Sequence, residues 1–486
     1  MAVPALRLER LNHLATNLNG RFVLYWMTAH RRMSWNYALD HALDRAVALS
    51  RPLLVVEALG TRYRWASDRF HRFILEGMSA NRAACADAPL TYACWLGRGG
   101  QDEGAADFTA LVADAAEVIL DGLPGFHQIG LNRALSARCP VAVTAVDAGG
   151  IFPLRAMTGV KERAVDFRRV LQKSLAPHLF EPPRAQPFAG VRLPALAWRP
   201  AWDTDPADLQ LANLPIDHGV GPVALRGGTT AARERLTTFL DRSLNRYATD
   251  RNEVEDGPAS GLSPWLHFGH LAAWEVVAAV FAREDWDPGR LVGRPVTASK
   301  SGWWGLSPGA EALLDQIITW RDLGAHYCHH VPDYADYGTL PAWARATLAK
   351  HALDPRPHRY SHAELERAAT HDPIWNAAQN ELVRTGVMHN YLRMLWAKKI
   401  LEWSPSPEQA LASMIELNNR WALDGRDANS YTGIMWSLGR FDRPWGPERP
   451  IFGLIRYMSS DCTRRKLDLA RYLKTFATPA GQTTIW

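Results

Sequence analysis

The stretch that decides the fold of the first half is Arg21-Phe-Val-Leu-Tyr-Trp26, a short apolar run that directly follows Gly20. Such a run is typical of a strand buried on both faces. A helical pattern over residues 36–49 comes next, and then a second apolar run, Leu53-Leu-Val-Val-Glu57. Strand, helix and strand with short connections form a βαβ unit, and such units build parallel sheets. The stretch therefore predicts an α/β fold for the start of the chain.

Further strand candidates lie at 91–96, 117–120 and 141–146, separated by helical stretches. They extend the unit into a doubly wound, Rossmann-like parallel sheet in a domain at 1–175. No GxGxxG or Walker A motif follows these strands, so a conventional dinucleotide or nucleoside triphosphate site is not indicated. Nine prolines then mark residues 176–225 as an interdomain connector.

From residue 226 to residue 486 the pattern becomes helical, which predicts an all-α second domain. This domain holds most of the tryptophans, because the chain has 20 and 14 of them follow residue 260. Trp is hard to bury fully, so either a large aromatic core or a function accounts for the excess. Trp396 and Trp403 are seven residues apart on one helix face, and Trp375 on the preceding helix can join them. Such a row is either core filling or a relay for electrons.

The net charge is +5, and residues 440–474 carry all of it, with nine basic against four acidic side chains. A focused basic patch fits a polyanion such as nucleic acid, although many charge runs are only solvated surface. The N-terminus has no signal-peptide pattern, and no run of about 18 apolar residues predicts a membrane span. The five cysteines are scattered, and His326-Tyr-Cys-His-His330 lacks a partner pair at zinc spacing. These features predict a cytoplasmic protein without a metal site.

The sharpest helix start is Leu262-Ser-Pro-Trp-Leu-His-Phe-Gly269, where Ser263 is the predicted N-cap and Pro264 the first helical residue. A helix N-terminus of this kind suits a phosphate, although, taken alone, the pattern favours an ordinary capped helix.

A polar segment at 418–430 contains Asp424 and Asp427, which could pair with Arg393, hold a ribose or accept from a ring N–H. Aromatic side chains interleaved with arginines follow at 436–445, a pattern that suits an extruded nucleic-acid base.

Together these stretches resemble the photolyase–cryptochrome family, and most specifically the class II cyclobutane pyrimidine dimer photolyases. The segments that carry the resemblance are 23–27, 262–269, 371–376, 388–403, 423–427, 455–458 and 464–466. The block Met394-Leu-Trp-Ala-Lys-Lys-Ile-Leu-Glu-Trp403 is the most specific to class II. The resemblance implies an N-terminal antenna domain and a C-terminal domain that binds FAD. Excited, reduced FAD would donate an electron to a flipped-out dimer in DNA.

The resemblance also implies roles for individual residues. Those that would contact FAD are Tyr247, Ala259, Ser260, Gly261, Leu262, Ser263, Arg393, Asn418, Asp424 and Asp427. Those that would relay electrons to the flavin are Trp396, Trp375 and Trp403. Those that would line the dimer pocket are Gln316, Trp320, Met394, Trp436, Arg251 and Asn252. Those that would hold the DNA are Arg443, Arg456, Arg464 and Lys466.

One position departs from the family pattern, which has a Glu four residues before the pocket Trp. Here Gln316 precedes Trp320, and Gln donates N–H groups to a carbonyl but cannot deliver a proton. Asp315 is adjacent but about 100° round the helix.

The expected function is therefore light-driven repair of pyrimidine dimers. The alternatives are a cryptochrome-like photoreceptor with weak or no repair, and a non-catalytic nucleic-acid-binding protein. A deazaflavin or folate antenna pigment, UV-damaged DNA as partner, a monomeric state and a cytoplasmic, nucleoid-associated location complete the expectation.

Overall fold

The computed structural model describes residues 2–98 and 103–477. Six strands form one sheet, and their bounds are β1 (Leu8–Arg10), β2 (Phe22–Met27), β3 (Leu53–Leu59), β4 (Thr91–Leu96), β5 (Ala115–Asp121) and β6 (Ala142–Val146). Their order in the sheet is β1-β6-β5-β2-β3-β4, and all neighbours are parallel except β1 and β6. The predicted doubly wound sheet is confirmed. The antiparallel edge strand β1 was not predicted, because its three residues are too short for a periodic pattern.

Four helices connect the parallel strands, namely α1 (Tyr37–Leu49), α2 (Asp68–Ala84), α3 (Glu103–Ala113) and α4 (Gln128–Ser136). Asn36 caps α1, because its side chain accepts from the backbone N–H of Ala38. Apolar side chains fill one face of the sheet, where Trp26 meets Phe108 edge-on with ring centroids 5.0 Å apart. Trp198, from the proline-rich connector, packs against Phe22 at 5.7 Å. The connector thus covers part of this core.

The chain divides into two compact units. The first contains the described residues up to Thr158 together with 171–238 and 261–295, and the second contains 159–170, 239–260 and the described residues from 296 onward. Two helices, α5 (Ala164–Ser174) and α6 (Thr229–Arg242), contribute residues to both units. In the first unit the chain also forms α8 (Ser263–His267) and α9 (Ala273–Arg283).

The described residues of the second unit form helices joined by loops. Its helices are α7 (Leu244–Asp250), α10 (Pro308–Leu314), α11 (Arg321–His330), α12 (Ala342–Lys350), α13 (His362–Glu366), α14 (Pro373–Thr385), α15 (Asn390–Trp403), α16 (Pro407–Trp421), α17 (Ala428–Ser437), α18 (Ser460–Lys466) and α19 (Ala470–Phe476). A π-helical segment, Asp315–Trp320, joins α10 to α11. Within the described ranges, no helix has the length and apolar character to cross a bilayer.

The strand order reverses between β2 and β5, and the crevice at their carboxyl ends is where open α/β sheets commonly bind ligands. Here Asp121, the last residue of β5, occupies that position. Its Oδ2 accepts from the backbone N–H groups of Thr28, Ala29 and His30 at 2.6–3.0 Å, and its Oδ1 accepts from the Tyr25 hydroxyl at 2.6 Å. Burial alone would raise the pKa of Asp121. His30 and these donors outweigh that effect, so the pKa lies below its usual range. The backbone N–H groups of residues 28–30, which could otherwise bind a ligand anion, thus already bind a carboxylate of the protein itself.

Candidate functional site

Two buried amides at the end of α16 organise the polar segment that leads into α17. Asn418 Nδ2 donates to Ser430 Oγ at 2.7 Å and to Asn419 Oδ1 at 3.2 Å, which leaves the carbonyl oxygen of Asn418 as its acceptor. Asn419 in turn donates to the Tyr431 hydroxyl at 2.9 Å and accepts from the backbone N–H of Arg426 at 2.8 Å. Arg426 has a left-handed backbone with φ of 65°. Neither Asn419 nor Arg426 was singled out in the sequence, because each acts only on its neighbours.

Arg393 and Asp424 form an ion pair, and Asp424 follows Asn418 and Asn419 closely in the sequence. Arg393 Nη2 lies 2.9 Å from Asp424 Oδ1, and the side chains are 22% and 13% exposed. Gly425 follows, and a Cβ there would lie 2.7 Å from the carbonyl oxygen of Asn418. Only glycine therefore allows the loop to pass this close to α16. The structure brings Arg393 and Asp424 together as expected from the polar pattern.

Asp427 has a different neighbourhood from Asp424. It is the N-cap of α17, where its Oδ1 accepts from the backbone N–H of Asn429 at 2.8 Å. The same oxygen lies 3.5 Å from Arg321 Nη1. Both contacts are within the protein, and the expected contact of Asp427 with a cofactor stays a prediction.

Trp375, Trp396 and Trp403 are buried, with exposures of 0%, 1% and 2%. Trp375 and Trp396 are stacked with planes 2° apart and centroids 6.3 Å apart, and Trp403 meets Trp375 edge-on at 5.4 Å. The Trp375 indole N–H donates to the backbone oxygen of Trp396 at 3.0 Å, and the Trp396 indole N–H donates to Gln379 Oε1 at 2.8 Å. Trp375 is therefore the middle member of a continuous row.

The row ends beneath aromatic side chains of the unit's surface. Tyr360 and His371 contact the Trp403 ring edge-on at 5.1 Å and 5.5 Å, and the Tyr360 hydroxyl lies 2.6 Å from His371 Nδ1. His371 is exposed, whereas Trp403 is not. This end of the row was not anticipated, because Tyr360 lies outside the helices that carry the indoles.

Gln316 and Trp320 lie four residues apart on the π-helical segment, and both are partly exposed while most residues between them are buried. Asp315 is directed elsewhere. Arg168 donates two hydrogen bonds to its carboxylate, from Nε to Oδ1 at 3.0 Å and from Nη2 to Oδ2 at 3.2 Å. The Asp315 carboxylate is thus bound by Arg168 within the protein.

Close packing of α7 against α10 places Tyr247 and Arg251 near this segment. A Cβ on Gly309 would lie 1.8 Å from the backbone oxygen of Leu244, so only glycine permits the approach. Tyr247 is buried, and the Arg251 guanidinium lies 5.8 Å from the centre of its ring. Asn252 follows Arg251 and is partly exposed.

Five side chains form an alternating series of cations and indoles, which we name the Trp–Arg row: Lys398, Trp436, Arg456, Trp445 and Arg443. Lys398 Nζ lies 5.2 Å and the Arg456 guanidinium 5.5 Å from the Trp436 ring centre. The Arg456 and Arg443 guanidinium groups lie 3.8 Å and 4.0 Å from the Trp445 ring centre. Cation–π attraction holds each neighbour in place. Lys398 was not assigned a role from the sequence, whereas Trp445 belongs to the pattern of aromatic side chains and arginines at 436–445.

Asp442 fixes the arginine end of the Trp–Arg row. Its carboxylate accepts from Arg456 Nε at 2.9 Å and Nη2 at 3.3 Å, and from the Trp445 indole N–H at 3.1 Å. Burial raises the pKa of Asp442, but Arg456, Trp445 and the backbone N–H of Arg443 together hold it below its usual range. The carboxylate therefore stays charged and fixes the positions of Arg456 and Trp445.

Basic side chains continue on α18, which Ser459 caps. Arg464 and Lys466 are both exposed, and Lys466 Nζ lies 4.9 Å from the Tyr391 ring centre. A polyanion has access to these charges.

The helix start at Ser263 differs from the prediction. Ser263 is the first residue of α8, and Leu262 is the N-cap residue without a side-chain cap. The sequence rule failed because the backbone of Leu262, with φ of −83° and ψ of −13°, is already helical. Gly261, Leu262 and Ser263 belong to the first unit, whereas Ala259 and Ser260 belong to the second. Their contacts with a cofactor stay predictions.

An aromatic cluster lies in the first unit, in the loops that follow β3 and β5. Tyr63 stacks on His127 with centroids 5.6 Å apart, and Trp65 stacks on Phe126 at 5.8 Å. Trp65 and Phe126 both have positive φ, 71° and 53°, which is costly for bulky side chains. These loops lie at the carboxyl edge of the parallel strands, where ligands commonly bind.

Comparisons with known proteins agree on one family. The chain is 31% identical to the deoxyribodipyrimidine photo-lyase of Methanothermobacter thermautotrophicus, over 97% of this chain and 98% of the relative. It is 35% identical to that of Oryza sativa, over 97% and 91%, and 33% identical to that of Arabidopsis thaliana, over 93% and 88%. The fold resembles a bacterial class III photolyase from Agrobacterium tumefaciens, with a TM-score of 0.68, 18% identity and coverage of 96% and 88%. No protein-family model matches the chain.

Proposed function

The chain belongs to the deoxyribodipyrimidine photo-lyase family, and from this membership we propose that it is a class II enzyme that repairs cyclobutane pyrimidine dimers in DNA with light. The observation that most supports the proposal is the set of side chains on one turn of α15. Arg393 holds the ion pair with Asp424, Met394 is partly exposed, and Trp396 begins the indole row. A cofactor, a substrate and an electron supply would meet on this turn.

FAD is the cofactor that the proposal requires, and the side chains present fit it. Those of the second unit that would hold it are Tyr247, Arg393, Asn418, Asp424 and Asp427. Both N–H groups of Asn418 are used within the protein, so its carbonyl oxygen suits a ring N–H. When bound and reduced, FAD supplies the light-excited electron that opens the cyclobutane ring. Contacts at Ala259–Ser263 remain part of the proposal.

Trp396, Trp375 and Trp403 would carry electrons towards the cofactor to keep it reduced. Their direct ring contacts allow short successive steps, and burial keeps solvent away from each ring. Core filling alone does not require a row that ends beneath Tyr360 and His371.

The dimer would bind against Trp320 and Trp436, with Met394, Arg251 and Asn252 around it. Gln316 would donate an N–H to a dimer carbonyl as negative charge develops there, without delivering a proton. The DNA backbone would be held by Arg443, Arg456, Arg464 and Lys466.

Dimer loss under blue light tests the proposal. The purified, reduced full chain is illuminated with an oligonucleotide that contains one thymine dimer, and the products are separated by chromatography. We expect dimer loss, and a faster rate for Gln316→Glu than for the matched control Gln409→Glu at an exposed position of α16. No dimer loss with any of these proteins would refute the repair proposal.

A cryptochrome-like photoreceptor is the second candidate, and Gln316 is the observation that favours it. It predicts a flavin spectrum and photoreduction without dimer loss. A colourless protein would instead point to the non-catalytic alternative.

We also propose that an antenna pigment lies against the aromatic cluster of Tyr63, Trp65, Phe126 and His127. Stacked rings held in strained conformations are suited to a planar ligand such as a deazaflavin or a folate. Replacing Trp65 by Ala should remove any second absorption band that accompanies the flavin in the purified protein.

A further inference from the structure

Lys398 is a fully buried lysine that the proposed repair mechanism does not use. Its exposure is 0%, and Nζ donates to the backbone oxygen of Ser437 at 2.6 Å. Ser437 is the last residue of α17, where a cation is favoured by the helix dipole. The preceding residue is Trp436, whose ring centre lies 5.2 Å from Nζ. A single ammonium group thus holds both the end of α17 and the ring at its tip.

The charges that face Lys398 come from the segment after α17. Burial lowers the pKa of Lys398 to about 7, with the Asp442 carboxylate raising it and the Arg456 guanidinium lowering it. Asp442 is shared with Arg456 through two hydrogen bonds, so it neutralises Lys398 only in part. Lys399, the neighbour on α15, lies with Nζ 2.8 Å from Glu402 and 3.9 Å from Asp372. With a pKa of about 7, Lys398 would change charge near neutral pH.

Negative charge brought to the Trp–Arg row would alter this balance. Arg443 is exposed and Arg456 partly so, and both are suited to phosphate. A phosphate near them would favour the charged form of Lys398, because opposite charges attract through a medium of low dielectric. By reciprocity, the charged form of Lys398 would favour the bound phosphate.

We propose that Lys398 is a positioning residue for lesion recognition, and that damaged DNA binds together with one proton, taken from the solvent, on Lys398 Nζ. The ammonium fixes Trp436 through its ring face and fixes α17 through Ser437. Loss of the proton removes the cation–π contact and weakens the hydrogen bond to Ser437. The inference rests on the proposed function, because it takes Trp436 as part of the lesion pocket.

Binding in the dark tests the inference without relying on catalysis. Fluorescence anisotropy measures the Kd of a duplex with one thymine dimer and of the same undamaged duplex, from pH 6 to pH 8.5 at fixed ionic strength. For the wild type, we expect the preference for the dimer to fall by about 3- to 10-fold over this range, which corresponds to DNA raising the pKa of Lys398 by about 0.5 to 1 unit. Undamaged DNA should show a smaller change.

Three variants separate the charge of Lys398 from general effects. Lys398→Met should have a weak preference that does not depend on pH, and Lys398→Arg, which keeps its charge, should have a pH-independent preference. Lys173→Met, which removes an exposed lysine of α5, should behave as the wild type does. A preference that falls with pH equally in the wild type and in Lys398→Met would overturn the inference.

Calorimetry on the wild type covers the case in which the Lys398 variants do not fold. Titrations at pH 7.5 in two buffers of different ionisation enthalpy give the number of protons bound with the DNA. We expect greater uptake with the dimer duplex than with the undamaged one, and equal uptake would refute the inference. If the wild type shows no preference for the dimer at any pH, the proposed function fails instead.

Discussion

Removal of Arg168 should destabilise the protein far more than removal of an ordinary surface arginine. The Arg168 and Asp315 side chains are only 12% and 10% exposed, and two hydrogen bonds join them. Arg168→Met leaves the Asp315 carboxylate buried without its cation, and water can replace little of what is lost. Breaking a buried pair from one side costs about 3–5 kcal/mol, which is a large fraction of a typical folding free energy.

A double-mutant cycle assigns the loss to the pair. Arg168→Met combined with Asp315→Leu removes both charges and should return the unfolding free energy to within about 1 kcal/mol of the wild type. The matched control is an ion pair at the start of the same helix. Arg163, which directly precedes α5, lies 2.9 Å from Asp166 in its first turn, and the side chains are 55% and 27% exposed. Arg163→Met should cost far less than Arg168→Met, because solvent screens an exposed pair.

Urea unfolding followed by circular dichroism and by tryptophan fluorescence measures each value, and coincidence of the two signals checks for a single transition. If Arg168→Met costs no more than Arg163→Met, the reasoning from burial is wrong. Asp315 would then have access to other partners.

Three further outcomes follow from the site. Trp396→Phe should slow photoreduction of the oxidised flavin at least about 10-fold without reducing the flavin content, and unchanged transient-absorption kinetics would reject the relay. Burial lowers the pKa of Lys398 from 10.5 to about 7, so the unfolded chain binds more protons between these values and wild-type stability rises with pH. The unfolding free energy of the wild type should therefore rise by about 2 kcal/mol relative to that of Lys398→Met between pH 7 and pH 9 in urea titrations, and a difference that does not change with pH would contradict the low pKa. Replacing Arg464 by Gln should reduce the slope of log K against log salt by about 1 for damaged and undamaged duplexes alike.

Periodic features were predictable from the sequence. The parallel strands are apolar runs between turn residues, so their positions were predictable from the pattern of apolar residues along the chain. Trp396 and Trp403 share a helix face by their seven-residue spacing, and both contact Trp375 in the structure. These features are local, because each depends on only one or two neighbouring elements.

Contacts between distant segments were not predictable in the same way. Arg168 and Asp315 are 147 residues apart, and no pattern in either segment indicates the partner. Lys398 lies in a run that reads as an ordinary Lys-Lys pair, and only the fold shows that it is buried while its neighbour reaches Glu402. The cap at Ser263 was misjudged for a related reason, since the backbone of Leu262 depends on its surroundings and not on its side chain.

Asp121 has a consequence for the anions that the α/β unit can accept. A nucleotide phosphate that reached the backbone N–H groups of residues 28–30 would compete with a carboxylate that is tethered to the same sheet. A tethered competitor is present at a high effective concentration and loses no translational freedom on binding, so a free phosphate is displaced. The backbone N–H groups of residues 28–30 are therefore closed to a phosphate while the Asp121 carboxylate is present. Removing that carboxylate would free these N–H groups for an anion from solution.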